Sequence, residues 1–298
     1  MRLAPRNAAK WSRRPLLAAL FLGIALVLVW SLASRVLADE LPARDFNTMN
    51  LKRLANLDHN PLTFVLLGDS RDHGGLFPVL LEEVAREEGV SFVIHLGDLV
   101  NRSRLWEYQQ FFADLKALKG LPLLAIPGNH ELKGEAHLFS QIFGPADLSF
   151  RLGDYALVLF NNAAREGFTP ARRRWLAQEL ARHGDARLRL VFLHLPLFDP
   201  RPGREKPHAM PAAEARQMLT LLKEGRADHV FAGHIHGYFS GDWEGLPYTI
   251  SGGAGTALHG RDPRHFFHHY LKVTARGTRL EVTVKPVDFP ASPIRYEP

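Results

Sequence analysis

Asp69, Asp98, Asn129, His194, His234 and His236 are side chains that can hold divalent cations, and each follows a short apolar run in this 298-residue chain. Thr63-Phe64-Val65-Leu66-Leu67 leads into Gly68-Asp69, and Phe92-Val93-Ile94-His95-Leu96 into Gly97-Asp98. Leu123-Leu124-Ala125-Ile126 leads into Pro127-Gly128-Asn129-His130-Glu131, and Val230-Phe231-Ala232 into Gly233-His234-Ile235-His236. His194 closes Leu190-Val191-Phe192-Leu193. Carboxylate, amide oxygen and imidazole together suit manganese, iron or zinc, whereas calcium takes oxygen alone. His130 adds an imidazole able to act as acid, base or hydrogen-bond donor. One such position is weak evidence, because a buried histidine bonded to a carbonyl is common. The joint pattern carries the signal.

The apolar runs read as buried strands, and an open α/β sheet gathers its ligands at the carboxyl ends of its strands. Between them, Leu76, Val79, Leu80 and Val84 recur at helical spacing over 76–88. A second helix is expected over 104–119, with Trp106, Phe111, Phe112, Leu115 and Leu118 as its apolar side, and a short one near 135–143. Gly153-Asp154 marks a hairpin between 149–152 and 155–160. Thr169 caps a helix that starts at Pro170 and runs to about Ala181, and another helix spans 211–224. Strand, loop and helix repeat in that order, which predicts crossover helices and a sheet parallel in this part. The remainder, through Tyr248-Thr249-Ile250, 268–274 and 279–285, reads as short antiparallel strands.

Hydrophobic residues make up 46% and charged residues 23%, ordinary for a chain with a sizeable core. The formal charge of +6 has a local origin. Residues 1–38 hold Arg2, Arg6, Lys10, Arg13, Arg14 and Arg35 and no acid; setting these aside leaves 31 basic residues against 31 acidic ones. The remaining chain is formally neutral, so no nucleic-acid partner is expected. With no cysteine, disulfides and thiolate metal sites are excluded. From Leu16 to Ser34 no residue is charged, a run at the lower limit for crossing a bilayer, and the basic residues before it would keep the N-terminus cytoplasmic. The expectation is an inner-membrane, single-pass protein with its domain on the periplasmic side. A cleaved signal ending near Val36-Leu37-Ala38, releasing a soluble periplasmic protein, is the alternative, and Arg13-Arg14 partly resembles a twin-arginine export signal. Residues 39–60 read as a linker into a domain over 61–298.

Gly68-Asp69, Gly97-Asp98, Gly128-Asn129-His130-Glu131, His194 and Gly233-His234-Ile235-His236 resemble, in order and spacing, the calcineurin-like metallophosphoesterases. The likeness covers about residues 62–255 and extends to Trp175-Leu176 and Ser251-Gly252-Gly253. It implies an α/β fold, a four-layer α/β/β/α sandwich of two mixed sheets, here preceded by an N-terminal hydrophobic helix. It also implies two divalent ions bridged by Asp98, with Asp69 and His236 on the first and Asn129, His194 and His234 on the second. His130 would lie beside the pair, donating to the phosphate or protonating the leaving oxygen.

One departure stands out. Where the family has Asp-x-His, this chain has Asp69-Ser70-Arg71, and a guanidinium cannot ligate a metal. Ser70, water or His73 would then complete the first ion's shell, while Arg71 would fork onto a substrate phosphate or pair with a carboxylate. Asp72-His73-Gly74-Gly75 reads equally as substrate mouth or turn. His95 is expected as a satisfied core residue, His265, His268 and His269 as a solvated strand, and Arg172-Arg173-Arg174 as a solvated helix face. The functional expectation is a metal-dependent phosphoesterase acting on a phosphorylated substrate, with lipid-linked phosphates favoured by the membrane segment. A nuclease of the same family and a metal-binding interaction module without turnover are the rivals.

Overall fold

The computed structural model describes residues 40–55, 60–71, 75–203 and 207–288, together with Ile24. The hydrophobic segment expected over 16–34 otherwise lies outside the described residues, as do His73 and the rest of 72–74.

Leu41–Pro298 forms one compact unit. Its described elements are α1 (Phe46–Leu54), β1 (Leu62–Leu67), α2 (Leu76–Val84), β2 (Phe92–His95), α3 (Leu105–Asp114), β3 (Leu123–Ala125), α4 (His137–Phe143), β4 (Leu148–Leu152) and β5 (Tyr155–Leu159). Then come α5 (Pro170–Arg182), β6 (Leu188–Phe192), α6 (Ala212–Glu224), β7 (His229–Ala232), β8 (Tyr238–Trp243), β9 (Leu246–Ser251), β10 (His269–Arg276) and β11 (Arg279–Pro286). One sheet runs β11-β10-β1-β2-β3 and the other β4-β5-β6-β7-β9-β8. In the first, β1, β2 and β3 are parallel and β10 returns antiparallel to β1. In the second, β5, β6, β7 and β9 are parallel, with β4 and β8 antiparallel at the edges. Both sheets are mixed.

Strand periodicity builds the layers. Phe64 and Leu66 of β1 point into one cluster with Phe92, Ile94, Leu124, Leu157, Leu190, Phe192 and Phe231, which fills the space between the sheets. Their neighbours Val65, Leu67 and Val93 point the other way and pack against Phe77, Leu80, Leu81 and Val84 of α2 and Phe111 of α3. Val158, Val191 and Val230 likewise face Leu176 and Leu180 of α5 and Met218 and Leu222 of α6. Helices, sheet, sheet and helices are thus separated by three apolar seams. Phe64 stacks on Phe92 at 5.2 Å within one sheet, Phe192 on Phe231 at 5.4 Å within the other, and Phe64 meets Phe192 edge-on at 6.0 Å across the seam.

Five expectations are corrected. The linker over 39–60 contains α1, which packs on the domain. Asn47 donates to the Ala125 carbonyl and accepts from the Ala125 N–H, both at 2.9 Å, and Asn50 donates to the Leu123 carbonyl. These amides satisfy the open edge of β3, a task normally done by another strand. β9, expected among short antiparallel strands, is antiparallel to β8 but parallel to β7, while β10 and β11 are antiparallel as expected. His268 and His269 are buried, not solvated: His269 Nε2 lies 3.1 Å from Ser251 Oγ, and His268 Nδ1 3.2 Å from the Gly253 carbonyl. Arg172 lies over the Phe160 ring at 4.6 Å and pairs with Asp147 at 3.3 Å instead of facing water. The helix over 104–119 is present but tightens to a 3-10 turn over Leu115–Leu118, and Trp106 is 59% exposed instead of facing the core. His95 is buried and bonded to Ser70 Oγ at 2.9 Å, as expected.

Candidate metal centre

β1, β2 and β3 end side by side, and their following loops are tied together. The Asp69 N–H donates to the Gly97 carbonyl at 3.0 Å and the Ser70 N–H to the Asp98 carbonyl at 3.1 Å. Asp69 and Asp98 both adopt left-handed backbone, φ 64° and 55°, as does His234 at 66°. Such conformations cost non-glycine residues about 1 kcal/mol or more and concentrate at functional sites. The sharp turn swings each side chain out of its strand direction towards the common edge. Gly128 is required by closeness: a Cβ there would meet Asp98 and come within 2.7 Å of His194 Cε1.

From the other sheet, β6 delivers His194 and β7 delivers His234 and His236. His194 Nδ1 donates to the Leu96 carbonyl at 2.8 Å, which leaves a lone pair on Nε2. That Nε2 faces Asn129 Oδ1 at 3.1 Å and Asp98 Oδ1 at 3.3 Å. His236 Nδ1 donates to the Ala257 carbonyl at 2.6 Å, so its Nε2 lone pair faces Asp69 Oδ1 at 3.5 Å. Lone pairs therefore converge on lone pairs. The two ligand groups are Asp98 with His194 and His234, and Asp69 with Asp98 and His236; within each, the donor atoms lie within 4.8 Å of one another. Asn129, an amide, joins the first of these through its contact with His194. Every sequence-predicted ligand is in the cluster, and Asp98 belongs to both halves.

The electrostatics fit cations. Burial, and then the neighbouring Asp98 charge, push the Asp69 carboxyl well above its usual range. Burial also pushes Asp98 upwards, but the His194 and His130 imidazoles beside it hold it below the ordinary carboxylate value. Burial drives His234 and His236 well below 6.5, keeping the imidazoles neutral and able to ligate. Asp69 Oδ1 and His234 Nδ1 are buried and meet no hydrogen-bond donor among the described residues. Buried polar atoms are normally satisfied. The donor set is the one that divalent manganese, iron or zinc would complete.

Arg71 also enters the centre. Its Nε lies 3.8 Å from Asp98 Oδ2, its side chain is 11% exposed, and its charge acts on Asp69 and His236. His130 stands beside the same oxygen, Nε2 to Asp98 Oδ2 at 3.9 Å, while its Nδ1 donates to the Asn101 carbonyl at 2.6 Å. Burial pushes His130 below 6.5, opposed by Asp98 and reinforced by Arg71.

Several members of the site have roles that the sequence does not specify. Glu131 is fully buried and accepts from the backbone N–H groups of Gly128 (2.6 Å), Asp98 (2.8 Å) and Val100 (2.9 Å), pinning the β2 and β3 loops together. Burial and the Asp98 charge push its carboxyl up to about 8, against the pull of those donors. Lys133 Nζ reaches His130 Nε2 at 2.9 Å. His259 stacks on His236 at 3.6 Å and accepts from the His236 N–H at 3.1 Å, and the His208 ring lies 4.8 Å from His259 and 5.7 Å from His234. The spacing of Asn129, His130 and Glu131 marks a loop but not which member braces it. His208 and His259 arrive from distant loops with no common motif.

A two-sheet α/β sandwich with carboxylates and imidazoles gathered at the strand ends of both sheets defines a metal-centre hydrolase fold. The chain belongs to the calcineurin-like phosphoesterase family, whose sequence profile matches residues 62–238. It is 30% identical over 188 residues to the serine/threonine-protein phosphatase CPPED1 of Danio rerio, covering 56% of this chain and 60% of that one. It is 32% identical over 179 residues to a probable cyclic nucleotide phosphodiesterase of Rhodopseudomonas palustris, covering 55% and 63%. The matches thus span less than two thirds of these relatives. In fold, the chain is similar to a purple acid phosphatase from yellow lupin (TM-score 0.63, 17% identity, 76% of this chain and 52% of that one). It is also similar to a dimetal phosphatase from Danio rerio (TM-score 0.59, 18% identity, 76% and 97%).

Proposed function

We propose that the chain is a metal-dependent phosphoesterase that hydrolyses a phosphate ester or anhydride with two divalent ions. One observation carries this reading: two groups of buried ligand atoms share the single carboxylate Asp98. Asp69, Asp98 and His236 would hold one ion, and Asp98, Asn129, His194 and His234 the other. Bound there, the ions supply neutralising charge for phosphoryl oxygens and lower the pKa of water.

The chain's own residues do the rest. The Arg71 guanidinium, held next to Asp98, forks onto a phosphoryl oxygen and balances charge as the transition state loosens. The oxygen of water bonds to phosphorus as the ester P–O bond breaks, and the departing oxygen must gain a proton. His130 keeps one proton on Nδ1 against the Asn101 carbonyl, so its Nε2 lone pair accepts from the Lys133 ammonium; Nε2 would take that proton and pass it to the leaving oxygen, and the proton released by the attacking water would restore the ammonium through solvent. Glu131 fixes the loops, so that Asp98, Asn129 and His130 are positioned before substrate arrives.

The uncharged run over 16–34 behind a basic N-terminus supports a membrane tether with the domain facing the periplasm, and hence a substrate near the bilayer. Among the relatives are a phosphatase and a probable cyclic nucleotide phosphodiesterase, so monoesters and diesters both belong in the test. Metal-stripped protein titrated with manganese, zinc or iron should gain hydrolysis of an aryl phosphate monoester or diester, and D98A should abolish it. Absence of turnover with every ion and both esters would remove the enzyme reading and leave a metal-binding interaction module.

A further inference from the structure

A cavity of about 460 Å³ is lined by Asn101, Arg102, Arg104, Lys133 and Gly134, two of which, Asn101 and Lys133, touch His130. Its continuity with the centre runs through His130. The Asn101 carbonyl takes the His130 Nδ1 proton at 2.6 Å, and Lys133 Nζ sits 2.9 Å from His130 Nε2, itself 3.9 Å from Asp98 Oδ2. The lining of the cavity holds three cationic side chains and no acidic residue. Glu107, on the helix that follows Arg104, is buried and spends both oxygens on the backbone N–H groups of Arg102 and Arg104. Among the described residues no ion pair joins Arg102, Arg104 or Lys133 to an acid. Partial burial lowers the Lys133 ammonium, the Asp98 carboxylate of the metal centre opposes that, and the charges of Arg71 and Arg102 add to it.

Like charges gathered without a counterion repel one another unless an anion is held between them. A guanidinium pair and an ammonium offer donors in the arrangement that phosphoryl oxygens accept. We infer that this cavity is a subsite for a second phosphoryl group of the substrate, so that the preferred substrate carries two phosphates, one at the metal centre and one against Arg102, Arg104 and Lys133. The inference rests on the phosphoesterase reading and names its substrate class. A diphosphate, or a small molecule phosphorylated at neighbouring positions, places its two groups close enough to bridge the two sites through His130. A single phosphate ester would leave the cavity to water.

The test is calorimetric binding to the manganese-loaded full chain, with methylphosphonate and methylenediphosphonate as probes. Wild type should bind the diphosphonate more tightly. In R102Q/R104Q, whose side chains touch none of the proposed ligands, that preference should shrink by roughly tenfold while methylphosphonate binds unchanged, since two charge-assisted contacts are lost. An unchanged preference overturns the inference, and so does equal weakening of both probes, which would mark a diffuse field. If instead the double variant loses binding to phosphatidylglycerol vesicles with its diphosphonate preference intact, the cavity faces lipid and the inference also falls. Should R102Q/R104Q fail to fold, R102Q alone carries the same comparison. Binding and turnover separate the two claims. Loss of preference without aryl phosphate hydrolysis sinks the phosphoesterase reading alone, whereas normal hydrolysis with unchanged preference sinks the subsite alone.

Discussion

The two halves of the metal centre share Asp98 but are built differently. The half formed with His194, His234 and Asn129 offers one carboxylate, one amide oxygen and two imidazoles whose lone pairs are set by burial and by the Leu96 carbonyl. The half formed with Asp69 and His236 offers two carboxylates and one imidazole, and the Arg71 guanidinium stands 3.8 Å from an oxygen of the shared carboxylate. Arg71 acts electrostatically on both Asp69 and His236. A cation in that half meets one protein ligand fewer and one positive charge more. The contrast shows that one cationic side chain beside a shared carboxylate can make two ligand groups unequal without dispersing either. The carboxylates stay buried and the loops stay tied.

That contrast can be broken at its hinge. D98A removes the only ligand common to both halves and should cost both ions, with turnover falling by roughly 10³-fold or more, equivalent to several kcal/mol of lost charge stabilisation. Metal content after dialysis and steady-state rates check it. Next in size are the single-half variants. H234A should release the tighter ion and H236A the weaker one, each visible as a stoichiometry falling from two ions to one. Equal losses from both variants would show that the halves do not bind independently. E131Q should weaken both ions by about 10- to 100-fold, as removal of an outer support typically does, because its amide N–H would face a backbone N–H that Glu131 now accepts. Its thermal stability should fall too, by about 1–3 kcal/mol for the buried donor left unsatisfied. The smallest effect is expected from R71H. It restores an imidazole and removes a charge, so the weaker affinity should rise by roughly tenfold, or about 1.4 kcal/mol, while the tighter one stays put.

Much of this centre could be read before folding because strand ends are written locally. An apolar run, a glycine and a ligand together mark Asp69, Asp98, Asn129 and His234, and the fold only has to bring the ends together. What could not be read depends on contacts between distant segments. Asn47 and Asn50 look like linker residues until β3 presents an open edge for their amides. Arg172 looks like a solvated charge until Phe160 and Asp147 meet it from another loop. His268 and His269 look like an exposed strand until Ser251 and Gly253 close over them. Glu131 sits in the most conspicuous stretch of the chain, yet its bracing of two loops needs the Asp98 and Val100 backbones in place. Lys133 and the cavity beside it belong to the same class.

The most direct measurement is calorimetric titration of the metal-stripped full chain with manganese, alongside D98A and R71H. Two ions per chain with unequal affinities are expected, with D98A binding neither tightly and R71H drawing the two affinities together. Two ions retained by D98A would show that Asp98 does not bridge, and equal wild-type affinities unmoved by R71H would show that Arg71 does not set the difference.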